Sequence, residues 1–209
     1  MSVRLDMPAV LYVGLLYGGY AALWSLKRRC QRRTTGIDPD VFARRPSGGL
    51  QGYVSGLSRA LQCYVVLLLI AHGLAPTAGW GLRQLPLLNR PGVDEIGFLL
   101  GAAGLTLCWL AQRTMASSWR VGIDETNPTD FVTSGPFELI RNPTYLGLFA
   151  LALGFWLIWP TWAVLMFGTL FVVMLEVQVR SEEEHMLRQH GKAYEMYFAR
   201  TKRYFPGVY

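Results

Sequence analysis

Five stretches of this chain are apolar enough to enter or cross a bilayer, and the segments between them are dense in Lys, Arg and Glu. The first, from Pro8 to Leu26, carries no charge and is followed at once by Lys27, Arg28, Arg29, Arg32 and Arg33. A cleaved signal peptide is the competing reading, but the charges stand on its wrong side and no small-residue cleavage site follows. The second stretch runs from about Ala60 to Ala78 and the third from about Ile96 to Ala111. The fourth, Tyr145 to Trp159, falls short of the roughly 20 residues that a perpendicular crossing needs. The fifth runs from Thr161 to about Val177 and carries Glu176 near its end. Between the last two, Trp159-Pro160-Thr161-Trp162 predicts a tight helical hairpin with an aromatic belt at its tip. The pattern predicts an all-α polytopic membrane protein of about five transmembrane helices.

Composition agrees. Of the 209 residues, 52% are apolar and 16% charged, where soluble domains average about 25% charged. So apolar and aromatic a chain is not disordered either. Cys30, Cys63 and Cys108 are scattered and odd in number, which predicts free thiols and no disulfide framework. The net charge of +6 need not mean a nucleic-acid partner, because its distribution along the chain has a simpler meaning. Five crossings put seventeen of the twenty Lys and Arg residues on one side and leave Arg4, Arg83 and Arg90 on the other. The positive-inside rule then predicts an outside N-terminus and a cytoplasmic tail, in a bacterial inner membrane or its equivalent. The basic segment 27–59 reads as a cytoplasmic loop that sets this orientation near anionic lipid. Gly14-xxx-Gly18 and Gly97-xxx-Gly101 predict close helix packing.

Two cytoplasmic stretches are too structured to be linkers. One runs from Ser118-Trp119-Arg120 through Val132-Thr133-Ser134-Gly135-Pro136-Phe137 to Arg141-Asn142-Pro143-Thr144-Tyr145. Gly135-Pro136 is a turn signal, and Asn142-Pro143 suits the start of the fourth helix. A helix N-terminus there can hold an anionic group, or Asn142 can simply cap it with nothing bound. The other stretch, Arg180 to Tyr197, predicts a helix leaving the membrane, a break near Gly191 and a second short helix ending before Pro206. Successive side chains turn about 100° on a helix, so one or two of Glu182, Glu183 and Glu184 point inward while the third meets water. Glu184 and Arg188 have the spacing of a surface ion pair, and Arg180 is spaced to pair with Glu183 or Glu184. His72, His185 and His190 are too scattered to predict a metal site.

In these two stretches the chain resembles the integral membrane methyltransferases typified by isoprenylcysteine carboxyl methyltransferase and the phospholipid N-methyltransferases. The resemblance rests on five pieces in order, with the hairpin between the second and third. They are Val132-Thr133-Ser134-Gly135-Pro136-Phe137, Arg141-Asn142-Pro143-Thr144-Tyr145, Arg180-Ser181-Glu182-Glu183, Gly191-Lys192-Ala193-Tyr194-Glu195-Met196-Tyr197, and Arg203-Tyr204-Phe205-Pro206. It implies S-adenosylmethionine as cofactor, held on the cytoplasmic side and covered by the tail. By position it implies that Val132, Gly135, Phe137, Asn142, Pro143, Thr144 and Tyr145 bind the cofactor with Glu182 or Glu183. It also implies that Arg180 and Asn142 act in catalysis, Arg180 facing the substrate or the cofactor carboxylate. Residues 113–209 would form the catalytic region, after an N-terminal part, 1–112, that carries helices 1–3.

The residue types suit such a cofactor: a carboxylate accepts from ribose hydroxyls or an amine, an arginine pairs with a carboxylate, and aromatics suit adenine and sulfonium. Asn142 stands where many members have His, which removes a titrating group. The expected acceptor is lipophilic and drawn from the membrane lipid phase, best the carboxylate of an isoprenylcysteine-like compound. A phospholipid amine, an alkyl phenol and a small thiol are alternatives. Two other classes stay open: an NADPH-dependent reductase of the sterol type, and a non-enzymatic membrane scaffold.

Overall fold

The computed structural model describes residues 7–44, 48–74 and 79–207. Their helices are α1 (Met7–Thr35), α2 (Val41–Arg44), α3 (Gly49–Leu74), α4 (Val93–Met115), α5 (Pro143–Ile158), α6 (Trp162–His190) and α7 (Lys192–Arg200). Among the described residues there is no strand, so the fold is all-helical as expected. Four helices are long and apolar enough to cross a membrane: α1, α3, α4 with its extension to Ser118, and α6. The shorter α5 has 16 residues, about 24 Å at 1.5 Å per residue, against a hydrocarbon core of about 30 Å. Leu11, Leu67, Leu99, Leu153 and Val173 lie exposed on the outside of the bundle, as side chains facing lipid do.

The segment 27–59 is not the loop that its charge suggested. Helix α1 runs on through Lys27–Arg33 to Thr35, and α3 begins at Gly49, three turns ahead of Ala60. Lys, Arg, Leu and Gln are good helix formers, and after Gly19 no Gly or Pro occurs in α1 until Gly36, which takes φ +71° and follows its end. Arg4, Arg45 and the expected end of the second stretch at 75–78 lie outside the described residues.

Helices α4 and α5 run antiparallel and meet on glycine. A Cβ added at Gly97 would lie 2.7 Å from the Gly154 carbonyl oxygen, and one at Gly147 would lie 2.5 Å from that of Gly104. Only backbone fits between these helices, which is how small residues let helices approach in lipid. Gly14 and Gly18 differ: nothing lies within 4 Å of either position, so that pair does not mediate packing.

The hairpin between α5 and α6 forms as expected. Thr161 caps α6 through its hydroxyl, which accepts from the Val164 N–H at 3.3 Å. The expected aromatic belt is only half present. Trp162 is exposed and stacks on Trp80, whereas Trp159 is buried, with its ring 4.4 Å from that of His72 and nearly parallel to it. His72 is itself satisfied, by the Leu68 carbonyl at 2.9 Å and the Thr161 hydroxyl at 3.4 Å.

Replacing Gly147 by Leu should lower stability in detergent by about 1–3 kcal/mol, because the added side chain forces α4 and α5 apart. Gly14→Leu should leave it unchanged. Thermal unfolding of the two variants side by side checks this.

Candidate functional site

The polar end of the helix bundle is organised by one buried carboxylate. Glu183 is 4% exposed, and each of its oxygens is engaged. Oε1 accepts from Arg141 Nε at 3.0 Å and Asn142 Nδ2 at 2.8 Å, and Oε2 accepts from Arg203 Nη2 at 2.7 Å. Arg141 also donates to the carbonyls of Phe198 and Thr201, and its guanidinium lies 3.8 Å from the centre of the Phe198 ring. The backbone completes the join: the N–H groups of Arg141 and Asn142 donate to the carbonyls of Lys202 and Arg203. The tail after α7 is thereby laced to the segment that leads into α5. The hydroxyl of Tyr197 donates to the Phe137 carbonyl at 2.8 Å. Burial pushes that hydroxyl up to about 12, so it keeps its proton at neutral pH.

Its neighbour Glu182 faces a different way and has different partners. Oε1 accepts from the Tyr145 hydroxyl at 2.7 Å and from Gln178 Nε2 at 2.7 Å. No cation among the described residues pairs with it. Glu182 lines a cavity of about 160 Å³ whose wall also includes Val132, Phe137, Asn142, Glu183 and Met186. Aromatic rings close another part of that wall. Phe131 stands edge-on to His190 at 4.9 Å and to Tyr194 at 5.4 Å.

The rest of the wall comes from the segment after α4, which leaves the helix through Ala116 at φ +46°, a region that residues with a Cβ rarely adopt. Helix α1 holds this exit in place. Lys27 Nζ donates to the Ala116 carbonyl at 2.7 Å, and the buried Gln31 donates to the carbonyls of Ser117 and Trp119. Next, Val41 and Val121 exchange backbone bonds with the chain opposite: Val41 N–H to Val121 carbonyl and Val121 N–H to Pro39 carbonyl, each 3.0 Å. Arg44 then pairs with Asp124 at 2.5 Å. Burial works against the charge of Asp124, but hydrogen bonds from Arg44, Thr126 and Asn127 outweigh it and hold the carboxyl well below its usual range. The guanidinium of Arg120, 13% exposed, reaches the same carboxylate only at 3.9 Å and lines the cavity.

Of the residues that the motifs singled out, Val132, Phe137, Asn142, Glu182 and Glu183 gather at the cavity. Tyr145 stands behind Glu182 as its hydrogen-bond donor. Pro143 is buried at the first position of α5, and the Thr144 carbonyl accepts from Cys108 Sγ, so both support the wall without lining it. Gly135 is exposed; at φ +58° it opens the short turn Gly135–Glu138 that presents Phe137. Asn142 occupies the cap position of α5 but makes no side-chain capping bond, its amide being directed to Glu183 instead.

Arg180 is not brought to the cavity. Two residues from Glu182 is about 200° around the helix, so with Glu182 facing inward Arg180 falls on the far side. It is 60% exposed and pairs there with Glu176 at 3.5 Å. The same phase sends Glu184 into solvent, opposite Arg188. The motif reading passed over Arg120, Asp124 and Phe131. The unusual composition of 118–124 was the signal for the first two, but the contacts of Asp124 with Arg44 and of Phe131 with His190 and Tyr194 join distant parts of the chain and leave no local pattern.

Residues 95–193 match the model of the phospholipid methyltransferase family, a family of integral membrane methyltransferases that includes isoprenylcysteine methyltransferase-like members. Methyltransferases of this family generally use S-adenosylmethionine. The match runs from the start of α4 to the start of α7 and so takes in both α4–α5 and the hairpin. No curated protein is significantly similar to the chain.

Removing one member of a buried ion cluster leaves the others uncompensated, at a cost of several kcal/mol. Glu183→Ala should therefore destabilise the protein by about 3 kcal/mol and expose the tail to protease, while Glu184→Ala should do neither. Thermal unfolding and limited proteolysis of the pair check this.

Proposed function

We propose that this protein transfers a methyl group from S-adenosylmethionine to a lipophilic acceptor drawn from the bilayer. The observation that carries this reading is a pair of cavities spaced along α6, one polar and one apolar. On one side lies the polar cavity just described. On the other, an apolar cavity of about 100 Å³ sits between α1, α3, α5 and α6, walled by Leu16, Val65, Phe155, Phe171 and Met174. Met174 is eight residues before Glu182 on α6, about 12 Å along the helix, and Gln178 lies midway and donates to Glu182. A polar group with a hydrocarbon tail fits this arrangement, its tail in the bundle and its head near Tyr145 and Asn142.

The residues present suit the cofactor. A carboxylate without a paired cation favours a sulfonium or ammonium, and the rings around Phe131 suit an adenine. When bound, S-adenosylmethionine supplies an activated methyl whose carbon–sulfur bond breaks as the acceptor attacks in line, leaving the electron pair on sulfur. What the chain contributes is alignment and exclusion of water. Tyr145 and Gln178 fix the rotamer of Glu182, and α7, held by the tail laced to Arg141 and Glu183, closes the cavity with Tyr194 and Tyr197. Asn142, tied to Glu183, orients without removing a proton, which favours an acceptor that is already anionic. The carboxylate of an isoprenylcysteine-like compound is the best single choice. The excess of Lys and Arg at this end of the bundle supports a cytoplasmic cavity and an outside N-terminus. A division of the chain at residue 112 is then one of function, since α4 and α5 pack together across it.

Calorimetry with S-adenosylhomocysteine in detergent, with NADPH alongside, tests the reading: saturable binding of the nucleoside alone is expected, and binding of NADPH alone would replace it with a reductase. Glu182→Gln should weaken S-adenosylhomocysteine binding at least tenfold with little change in unfolding temperature, because its partners are neutral. Unchanged affinity would remove Glu182 from the site.

A further inference from the structure

Arg120 carries a charge that its surroundings match incompletely. Its Nη1 is committed to the carbonyls of Ser117 at 2.7 Å and Trp119 at 2.9 Å, which fix the plane of the guanidinium. Its Nε is buried and forms no hydrogen bond. The nearest carboxylate oxygen, Asp124 Oδ2, lies 3.9 Å away and is already bound by Arg44 at 2.5 Å. The other oxygen of Asp124 accepts from Thr126 and Asn127. One carboxylate thus serves two guanidinium groups, and the cluster holds one positive charge in excess in the cavity wall. Burial and the nearby Arg44 cation both work against that charge, and only Asp124 supports it.

A second feature of the same cavity has the opposite sign. Glu182 is held by two neutral donors and pairs with no cation among the described residues, so the wall presents a guanidinium and an acidic group on different segments. That is the complement of a zwitterion. The amino-acid end of S-adenosylmethionine is one, with a carboxylate and, beside it, an ammonium and a sulfonium.

We propose that Arg120 holds the carboxylate of the cofactor's amino-acid moiety, leaving Glu182 to face its positive charges. The assignment rests on the methyltransferase reading and adds a residue to it. It gives Arg120 one of the two contacts, substrate or cofactor carboxylate, that the resemblance had implied for Arg180. It also gives the contacts from α1 and α2 a purpose: Lys27, Gln31 and Arg44 hold the segment that carries this cation. A rigid guanidinium is the better anchor, because less ordering is left to be done when the carboxylate arrives.

The test uses two ligands that differ by the group in question. S-Adenosylhomocysteine has the carboxylate, and 5′-methylthioadenosine keeps the adenosine and the sulfur but lacks the amino-acid end. Binding of each is measured by calorimetry to the full-length wild-type protein, Arg120→Ala and Arg120→Gln; glutamine keeps a donor for the backbone carbonyls without the charge. Both variants should bind S-adenosylhomocysteine at least tenfold more weakly and 5′-methylthioadenosine within twofold of wild type. Equal weakening of both ligands in Arg120→Gln would overturn the assignment and make Arg120 a structural residue. Unchanged S-adenosylhomocysteine affinity would overturn it too, and with a raised KM for the acceptor it would move Arg120 to the acceptor's head group. If wild-type protein bound no S-adenosylhomocysteine, the methyltransferase reading would fall first and this assignment with it.

Discussion

The buried contact of Glu183 with Arg141, Asn142 and Arg203 is the constraint from which the polar end of the bundle is built. Its members come from α6, from the segment before α5 and from the tail, so it joins three parts of the chain that hydrophobic burial alone would leave unconnected. Buried charge is costly unless every lone pair is used, and here both carboxylate oxygens are. Fixing Glu183 fixes the rotation of α6. That rotation turns Glu182 into the cavity, with Tyr145 and Gln178 behind it as donors, and sends Arg180 and Glu184 to the opposite side.

Around this centre the division of labour follows from chemistry. In the lipid layer, glycine contacts bring α4 and α5 together, because lipid supplies no hydrophobic drive to hold helices and close backbone packing must do so. At the polar end of the bundle, hydrogen bonds and ion pairs take over. The cationic stretch after the first crossing, which orientation alone would explain, has a second use there. Arg28 pairs with Asp38 and Asp40, Gln31 and Lys27 hold the exit from α4, and Arg44 holds Asp124. The first helix is therefore part of the cavity's support as well as a membrane anchor.

Much of the helical architecture was legible in the chain because hydropathy reports burial in lipid directly. The hairpin at Pro160, the emergence of α6 from the membrane and the break at Gly191 are local events with local signals. The limits of α1 and α3 were not legible, because charged residues end a membrane span without ending a helix. The three glutamates were only half legible. Their periodicity requires that they face different ways, but the choice among them depends on which face of α6 meets α5, and that is set by Asn142 and Tyr145 about 40 residues away. Arg180 misled for the same reason: it lies in the right motif on the wrong side of the helix. Arg120 and Phe131 had no signal beyond an unusual loop composition.

The central claim is that the polar cavity at Glu182 takes S-adenosylmethionine and that the apolar cavity about two turns away along α6, at Met174, takes an acceptor's tail. Methyl transfer in vesicles tests it most directly. The purified protein is reconstituted with bacterial membrane lipids and with a prenylated cysteine, S-adenosylmethionine labelled in its methyl group is added, and label extracted into organic solvent is measured. The account predicts label in the organic phase that grows with time and with protein and is greatest with the prenylated acid. Protein that binds the labelled cofactor but passes no label to any extractable lipid would contradict it.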